Sequence, residues 1–128
     1  EILNGADQIV ISLLEAEDKI DSGDIWKKLK INISKSALYD EINRKIFNAE
    51  LRLMEFAINN FHNIIAQPQS NNNSTYWPKR SIEDCELDLN KTINEQFDTM
   101  RVADPNRFPA FFYKDGKKFI LKIDVKDE

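Results

Sequence analysis

Three aspartates with regular spacing mark the segment EAEDKIDSGDIW, residues 15–26. Asp18, Asp21 and Asp24 follow one another at steps of three, around the single Gly23 and between two apolar runs. Carboxylates grouped in this way could bind a metal ion, take part in acid–base chemistry, or form a solvated loop. A calcium loop places ligands at alternate positions and ends in a bidentate Glu, which this segment does not. The spacing therefore argues against a metal and leaves the other two possibilities open.

The single histidine and the single cysteine offer little further chemistry. His62 follows the last apolar residue of a long helical pattern, where a positive imidazole suits the helix C-terminus, so a capping role is favoured over that of a general base. Cys85 lies in the acidic stretch EDCELD and lacks the positive neighbours that activate a thiol. We expect neither residue to be catalytic.

Cations and aromatic residues gather in the last third of the chain. Lys79 and Arg80 follow Trp77, while Arg101 and Arg107 bracket VADPN, ahead of the aromatic run FPAFF. Arginine guanidinium groups suit phosphate oxygens because they donate two parallel hydrogen bonds. Residue type alone does not separate such a site from scattered surface cations.

Composition limits the class of protein. The chain has 128 residues, 41% of them hydrophobic, and a net charge of −4, which argues against a nucleic-acid or polybasic membrane surface. It has no apolar run of the roughly 20 residues that span a bilayer. A lone cysteine fits a reducing compartment, so the sequence indicates a cytoplasmic protein without a structural metal.

The elements that must position these residues can be read from periodicity. QIVISLL (8–14) predicts a short buried strand, and DIWKKLKINI (24–33) predicts a half-buried strand with lysines on its outer face. Residues 34–63 predict a long helix, capped by Ser34 or Ser36, with two apolar stripes that would be covered on more than one side. The first stripe is Leu38, Ile42, Ile46, Ala49, Leu53 and Phe56; the second is Phe47, Leu51, Met54, Ile58 and Phe61.

The remainder of the chain predicts a smaller α+β region. TINEQFDTMRVAD reads as an amphipathic helix with Ile93, Phe97 and Met100 on one face. In PAFFYKDGKKFILKIDV, the Asp-Gly pair predicts a two-residue hairpin turn that sets Phe112 opposite Phe119.

Three stretches, in this order, resemble the folate-dependent formyltransferases. EDKIDSGDIW is similar to the family's Asp-x-Gly loop between two strands, and YWPKRSIEDCELDL is similar to its Pro-Lys/Arg segment followed by acids and a strand. MRVADPNRFPAFF is similar to its C-terminal Arg-Ala…Pro…Phe signature. The spacing and order of the three stretches fit the family across nearly the whole chain.

The resemblance implies a role for the aspartate loop. It makes Asp21 the catalytic carboxylate and places Ile20, Asp21 and Gly23 beside the co-substrate 10-formyltetrahydrofolate. The family's catalytic Asn and His would lie on a segment before Glu1. We therefore expect this chain to begin inside a domain, to need the missing N-terminal half as a partner, and to be inactive alone.

The resemblance also implies the architecture. It predicts an α/β fold: the C-terminal half of a Rossmann-like formyltransferase domain, with strand, turn, strand and long helix, then a small α+β extension ending in a β-hairpin. The predicted divisions are residues 1–66 for the catalytic part, 67–78 for a connecting loop and 79–128 for a small subdomain.

The substrate class is a choice among family members. The extension and its PNRFPAFF sequence are most similar to sugar N-formyltransferases, which act on nucleotide-linked amino sugars in polysaccharide biosynthesis. The alternatives are a methionyl-tRNA formyltransferase-like enzyme and a non-catalytic half-domain that serves as a binding or assembly module. On the sugar interpretation no nucleic acid or membrane is a partner and a homodimer is possible. The substrate-binding candidates are Trp77, Lys79, Arg80, Arg101, Phe108 and Phe111.

Overall fold

A computed structural model describes residues 1–19, 21–70 and 77–126. Its helices and strands, in chain order, are β1 (Gln8–Leu14), β2 (Ile25–Asn32), α1 (Tyr39–Asn60), α2 (Ile93–Val102), β3 (Ala110–Lys114) and β4 (Lys117–Leu121). Short 3₁₀ turns occupy Ile2–Asn4 and Glu83–Cys85. Within the described ranges, no helix is long and apolar enough to cross a membrane. The predicted α/β class is confirmed.

The chain divides into two compact units that are described separately. We call Gln8–Asn32 with Asn43–Trp77 the loop unit, because it contains the aspartate loop. The terminal unit comprises Glu1–Asp7, Ile33–Ile42 and Pro78–Glu128. The divisions predicted from the sequence stay predictions, and part of the predicted connecting loop, residues 71–76, lies outside the described residues.

In the loop unit, β1 and β2 form an antiparallel ladder. Its register runs from Gln8 opposite Asn32 to Leu13 opposite Lys27, and it shifts between Leu13 and Leu14. Alternate β1 residues are half-buried, whereas the sequence predicted a buried strand. The pair is two-stranded and antiparallel among the described residues, so that one face packs and the other meets solvent.

Helix α1 is shorter than its apolar pattern. It begins at Tyr39, five residues after Ser34, because the Ser34 and Ser36 hydroxyls bond each other at 2.8 Å in a preceding turn instead of capping a helix. It ends at Asn60, whose side-chain amide donates to the Phe56 carbonyl at 2.8 Å. This bond satisfies one of the carbonyl groups that a helix end leaves unpaired.

The two apolar stripes of α1 meet different surroundings. Ala49 and Leu53 of the first stripe are buried in the loop unit, as predicted. The second stripe, which we call the outer stripe, is exposed, with relative accessibilities between 46% and 78%. Its members are Phe47, Leu51, Met54, Ile58 and Phe61. The expectation that this face would be covered is therefore not met by the residues described.

The terminal unit has its own core. Leu87, Met100, Ala103 and Ala110 are buried together, and the side chains packed against them are Phe97, Phe112, Leu121 and Ile123. Helix α2 starts with a capping box, in which the Thr92 side chain accepts from the Glu95 backbone and the Glu95 carboxylate accepts from Thr92. Ile93 is 75% exposed, contrary to the predicted shared face, since it is the first residue of the helix.

The C-terminal hairpin follows the prediction closely. Strands β3 and β4 pair antiparallel with Phe112 opposite Phe119, and the two rings stack at 5.4 Å between centroids. Asp115 and Gly116 have φ angles of 52° and 73°. Positive φ at both central residues matches a type I′ turn, whose twist suits a two-residue hairpin.

Candidate functional site

The Asp-x-Gly loop lies between β1 and β2, at the end of the loop unit's hairpin. Asp21 is exposed and has a φ of 58°, in the left-handed region. Few residues other than glycine adopt this conformation, although aspartate tolerates it better than most. Ile20, the third predicted folate contact, lies outside the described residues.

Gly23 is required by a close approach of two backbone segments. A Cβ atom at this position would lie 1.8 Å from the carbonyl oxygen of Glu15. The same two segments are joined by a hydrogen bond of 2.8 Å from the Glu15 N–H to the Asp24 carbonyl. The positive φ in this loop belongs to Asp21 and not to Gly23. Gly23 supplies space rather than conformational freedom.

A second segment braces this loop through its side chain. Gln67 pairs with Ile25 by two backbone hydrogen bonds of 2.7 and 2.9 Å. Two residues later, the side-chain amide nitrogen of Gln69 donates to the carbonyl of Asp21 at 2.8 Å and to that of Gly23 at 2.6 Å. Sequence reasoning missed Gln69, because a glutamine beside a proline carries no signal of a long-range contact.

The other acids of the loop do not join Asp21 in a ligand cluster. Asp18 is exposed and Asp24 half-buried, while the Ser22 hydroxyl donates to the Lys19 carbonyl at 2.8 Å. Across residues 1–19, 21–70 and 77–126, no group of three or more His, Cys, Asp or Glu side chains is placed to hold a metal ion. Acid–base or electrostatic work by one carboxylate is the chemistry that this loop can offer.

His62 belongs to the loop unit and Cys85 to the terminal unit. His62 is exposed two residues beyond the end of α1, with its ring edge-on to that of Phe61 at 5.4 Å. Cys85 is buried in the terminal unit, where an Arg80 guanidinium nitrogen lies 3.9 Å from its sulfur.

Two of the predicted substrate contacts, Arg80 and Phe108, line one cavity of the terminal unit. It encloses about 170 Å³, and its lining also includes Tyr39 and Arg107. Arg80 donates to the Asp84 carbonyl at 3.2 Å, which orients its guanidinium. Two aromatic rings and two cations line this depression together with the Asp104 carboxylate, and they could bind an anionic ligand that also has a flat or apolar part.

A hydrogen-bonded cluster around Asp104 supports this cavity. The Asp104 carboxylate, only 8% exposed, accepts from the Tyr39 hydroxyl at 2.9 Å and from Arg107 Nε at 2.7 Å. It also accepts from the backbone N–H groups of Asn106 and Arg107. The Arg107 side chain is the main cause that holds the pKa of Asp104 well below its usual range, and the backbone donors add to it. Tyr39 could not be paired with Asp104 from the sequence, because the two residues lie 65 positions apart.

The remaining predicted contacts fall into two groups. Arg101 and Phe111 are each 3% exposed, and Arg101 donates to the carbonyls of Ser34 and Ala37 at 3.2 Å. The contacts that these two residues make here lie inside the terminal unit. Trp77 and Lys79 are exposed. All four stay predictions as substrate contacts.

The relatives found by sequence comparison belong to one class of enzyme. No family model matches the chain. It is 27% identical over 117 residues to the methionyl-tRNA formyltransferase of Ehrlichia ruminantium, a match that covers 91% of this chain and 37% of that protein. The match to the methionyl-tRNA formyltransferase of Natranaerobius thermophilus is 29% over 126 residues and covers 95% and 39%. The chain thus spans about two fifths of the length of these relatives.

Solved structures that include formyltransferases share the fold. A methionyl-tRNA formyltransferase from Clostridium thermocellum superposes with a TM-score of 0.80 at 19% identity, over 98% of this chain and 54% of that one. A sugar N-formyltransferase from a Shewanella species gives 0.71 at 16%, over 91% and 50%. HypX from Aquifex aeolicus in complex with tetrahydrofolic acid gives 0.72 at 20%, over 95% and 22%. The chain has the fold of the C-terminal part of these enzymes, which supports the resemblance seen in the sequence.

Proposed function

We propose that this chain is the C-terminal part of a folate-dependent formyltransferase that transfers the formyl group of 10-formyltetrahydrofolate to the amine of a nucleotide-linked amino sugar. The observation that carries the proposal is the Asp21-Ser22-Gly23 loop, braced between β1 and β2 in a fold shared with formyltransferase structures. The loop presents the exposed carboxylate of Asp21 from a backbone that the Gln69 side chain and the close approach of Gly23 to Glu15 constrain.

The chemistry explains why one fixed carboxylate would matter. Attack of an amine on the formyl carbon gives a tetrahedral intermediate with a developing oxyanion and an ammonium group. On the proposed mechanism, an Asn and a His from the N-terminal half of the enzyme stabilise the oxyanion. The neutral imidazole could take the proton that the amine must lose, and the Asp21 carboxylate would orient this histidine and stabilise the imidazolium that results. The imidazolium could return the proton to N10 of tetrahydrofolate as the bond from N10 to the formyl carbon breaks.

The outer stripe of α1 supports the proposal of a preceding half. Five large apolar side chains lie exposed at helical spacing, which is unusual for a surface that stays in water. The chain also covers only 37% of a methionyl-tRNA formyltransferase that it matches over 91% of its own length. We propose that the N-terminal half of the domain packs on this stripe and brings its Asn and His to Asp21.

A nucleotide-linked sugar is the proposed acceptor because of the cavity in the terminal unit. Arg80 and Arg107 could contact a diphosphate there, and the half-exposed ring of Phe108 could pack against a sugar or base. The net charge of −4 counts against a grip on tRNA. Methionyl-tRNA is the second candidate acceptor, since the two relatives described above are named methionyl-tRNA formyltransferases.

The test is a formyl-transfer assay on the native polypeptide that contains this chain. We expect 10-formyltetrahydrofolate to formylate a nucleotide-linked amino sugar, and Asp21→Asn to lower kcat by roughly 10²- to 10⁴-fold, the usual contribution of a positioned acid–base group. Asp18→Asn is the matched control, because it removes an exposed carboxylate from the same loop. It should keep kcat within about twofold.

The outcomes separate the alternatives. Transfer to methionyl-tRNA alone would replace the sugar with the second candidate while keeping the role of Asp21. Equal loss in the Asp18 and Asp21 variants would remove Asp21 from the chemistry. No transfer to either acceptor would leave the non-catalytic assembly module as the better interpretation.

A further inference from the structure

We infer that Gln69 is a positioning residue for the formyl-transfer site, because its side-chain amide holds the backbone of the Asp21 loop in the conformation that presents the carboxylate. The inference rests on the proposed function. Gln69 touches neither the reacting atoms nor the Asp21 carboxylate. It acts through the main chain of the loop, 48 and 46 residues away in sequence.

The side-chain amide nitrogen of Gln69 donates both of its hydrogen bonds to the loop. A primary amide nitrogen carries two hydrogens, and here the nitrogen lies 2.8 Å from the Asp21 carbonyl oxygen and 2.6 Å from that of Gly23. Both acceptors are backbone carbonyls, so the NH₂ group and not the amide oxygen must face them. One side chain therefore ties together the carbonyl groups of the two residues on either side of Ser22.

The conformation of the loop explains why these two hydrogen bonds would matter. Asp21 sits at a φ of 58°, a conformation that costs free energy for a residue with a side chain. The bond from Ser22 to Lys19 forms within the loop itself. Gln69 comes from a different segment, and that segment is anchored by the backbone pairing of Gln67 with Ile25. Its two bonds thus fix the loop relative to β2.

A small displacement of a catalytic group can lower the reaction rate strongly. A misplacement of about 1 Å can lower a rate by about 10²-fold, even when it arises away from the chemistry. Loss of the Gln69 bonds should release the Asp21 backbone from its strained conformation and so move the carboxylate relative to the histidine. The effect should fall on the chemical step, because Arg80, Arg107 and Phe108, the contacts proposed for the acceptor, belong to the terminal unit.

The segment Gln67-Pro68-Gln69 provides a matched pair of variants. Gln69→Glu keeps the shape of the side chain but directs a carboxylate at two carbonyl oxygens. Gln67→Glu adds the same charge two residues earlier, where the contact with Ile25 is made by backbone atoms and survives. In the native polypeptide, we expect Gln69→Glu to lower kcat by about 10- to 100-fold, with the KM for the acceptor amine within about twofold. Gln67→Glu should match the wild type in both.

Two further readouts keep the inference testable. Gln69→Met removes the donor without adding charge, so it serves if the glutamate variant fails to fold. Amide hydrogen exchange in residues 21–25 should rise in the Gln69 variants and not in Gln67→Glu. Equal kcat values for the Gln69 and Gln67 variants in an active enzyme would overturn the positioning role and leave the proposed function intact. A wild-type polypeptide that formylates neither acceptor would overturn both.

Discussion

At the scale of single residues, Gly23 is where the fold constrains the candidate site most tightly. A methyl group there would lie 1.8 Å from the Glu15 carbonyl oxygen, well inside van der Waals contact, so one of the two backbone segments must move. We expect Gly23→Ala to lower the free energy of unfolding by at least about 2 kcal/mol, within the range for overpacked sites. Urea denaturation of the native polypeptide measures the loss.

Gly5→Ala is the control for Gly23→Ala. Gly5 has a φ of 80° and open space around its Cα, so alanine there pays only for an unfavourable backbone conformation, about 1 kcal/mol. Gly23 is not among the glycines with positive φ, so the loss of stability in Gly23→Ala would be purely steric. If Gly23→Ala lost no more stability than Gly5→Ala, the close approach to Glu15 would not be rigid.

Asp104 should make the terminal unit sensitive to acid. Donors from Arg107, and then from its neighbours, lower the pKa of this carboxyl in the folded state, whereas the unfolded chain has the ordinary value of about 4. The charged form therefore stabilises the fold fully above the ordinary value, and this stabilisation is lost as the pH falls toward the folded pKa. We expect Asp104→Asn to lower the urea midpoint at pH 7, with the difference from wild type shrinking below about pH 4.

Asp115→Asn is the comparison for this pH series. Asp115 is an exposed residue of the hairpin turn, where asparagine is equally suited to the positive φ. Its midpoint should follow that of the wild type at every pH. A difference between Asp104→Asn and wild type that stays constant from pH 7 to pH 2 would mean that the charge of Asp104 does not stabilise the fold.

At the scale of secondary structure, Arg101 joins α2 to the turn that precedes α1 in the terminal unit. Its guanidinium is buried, bonds two backbone carbonyls and pairs with Asp98 at 2.5 Å. Arg101→Met keeps much of the volume but leaves these acceptors unpaired, so we expect a loss of about 3 kcal/mol in the free energy of unfolding. Thermal or urea denaturation checks this value.

Arg107→Met provides the contrast within the same unit. Its side chain is 74% exposed, so its bond to Asp104 is screened by solvent, and its removal should cost distinctly less stability. If Arg107 contacts the nucleotide sugar as proposed, the same variant should raise the KM for that substrate. Equal stability losses for Arg101→Met and Arg107→Met would contradict the structural role given to Arg101.

The regular elements were predictable from the sequence because local patterns specify them. The alternation in β2, which the structure shows from Lys28 to Asn32, and the Asp-Gly turn of the last hairpin both depend on neighbours along the chain. The start of α1 was missed because Ser34 and Ser36 bond each other, which periodicity does not reveal. Burial of Arg101 depends on carbonyls more than 60 residues away, so the sequence offered this residue only as a substrate contact or a surface cation.

At the scale of the whole molecule, the candidate site was only partly predictable. The type and spacing of Asp21 and Gly23 indicated the loop, and the resemblance supplied its chemistry. Gln69 and the pairing of Asp104 with Tyr39 were not predictable, since both are long-range contacts of common polar residues. The apolar pattern did predict a second stripe on α1, and the structure shows it exposed. That stripe links the fold to the proposed function.

A single pair of substitutions tests whether the outer stripe is an interior surface of the native protein. Ile58 is 78% exposed in this chain, and Asn59 is its exposed neighbour. If the N-terminal half covers the stripe, Ile58→Asp in the native polypeptide buries a charge and should cost about 3 kcal/mol or more. Asn59→Asp places the same charge in the same turn of the helix, so effects on the helix end are matched.

The expected result is a large loss in the free energy of unfolding for Ile58→Asp and a change within about 0.5 kcal/mol for Asn59→Asp. Denaturation of both variants by urea gives the comparison. Because buried charge is penalised only where water is excluded, equal small changes would mean that the outer stripe faces solvent in the native protein. That result would contradict the proposal that a preceding half packs on the outer stripe and brings its Asn and His to Asp21.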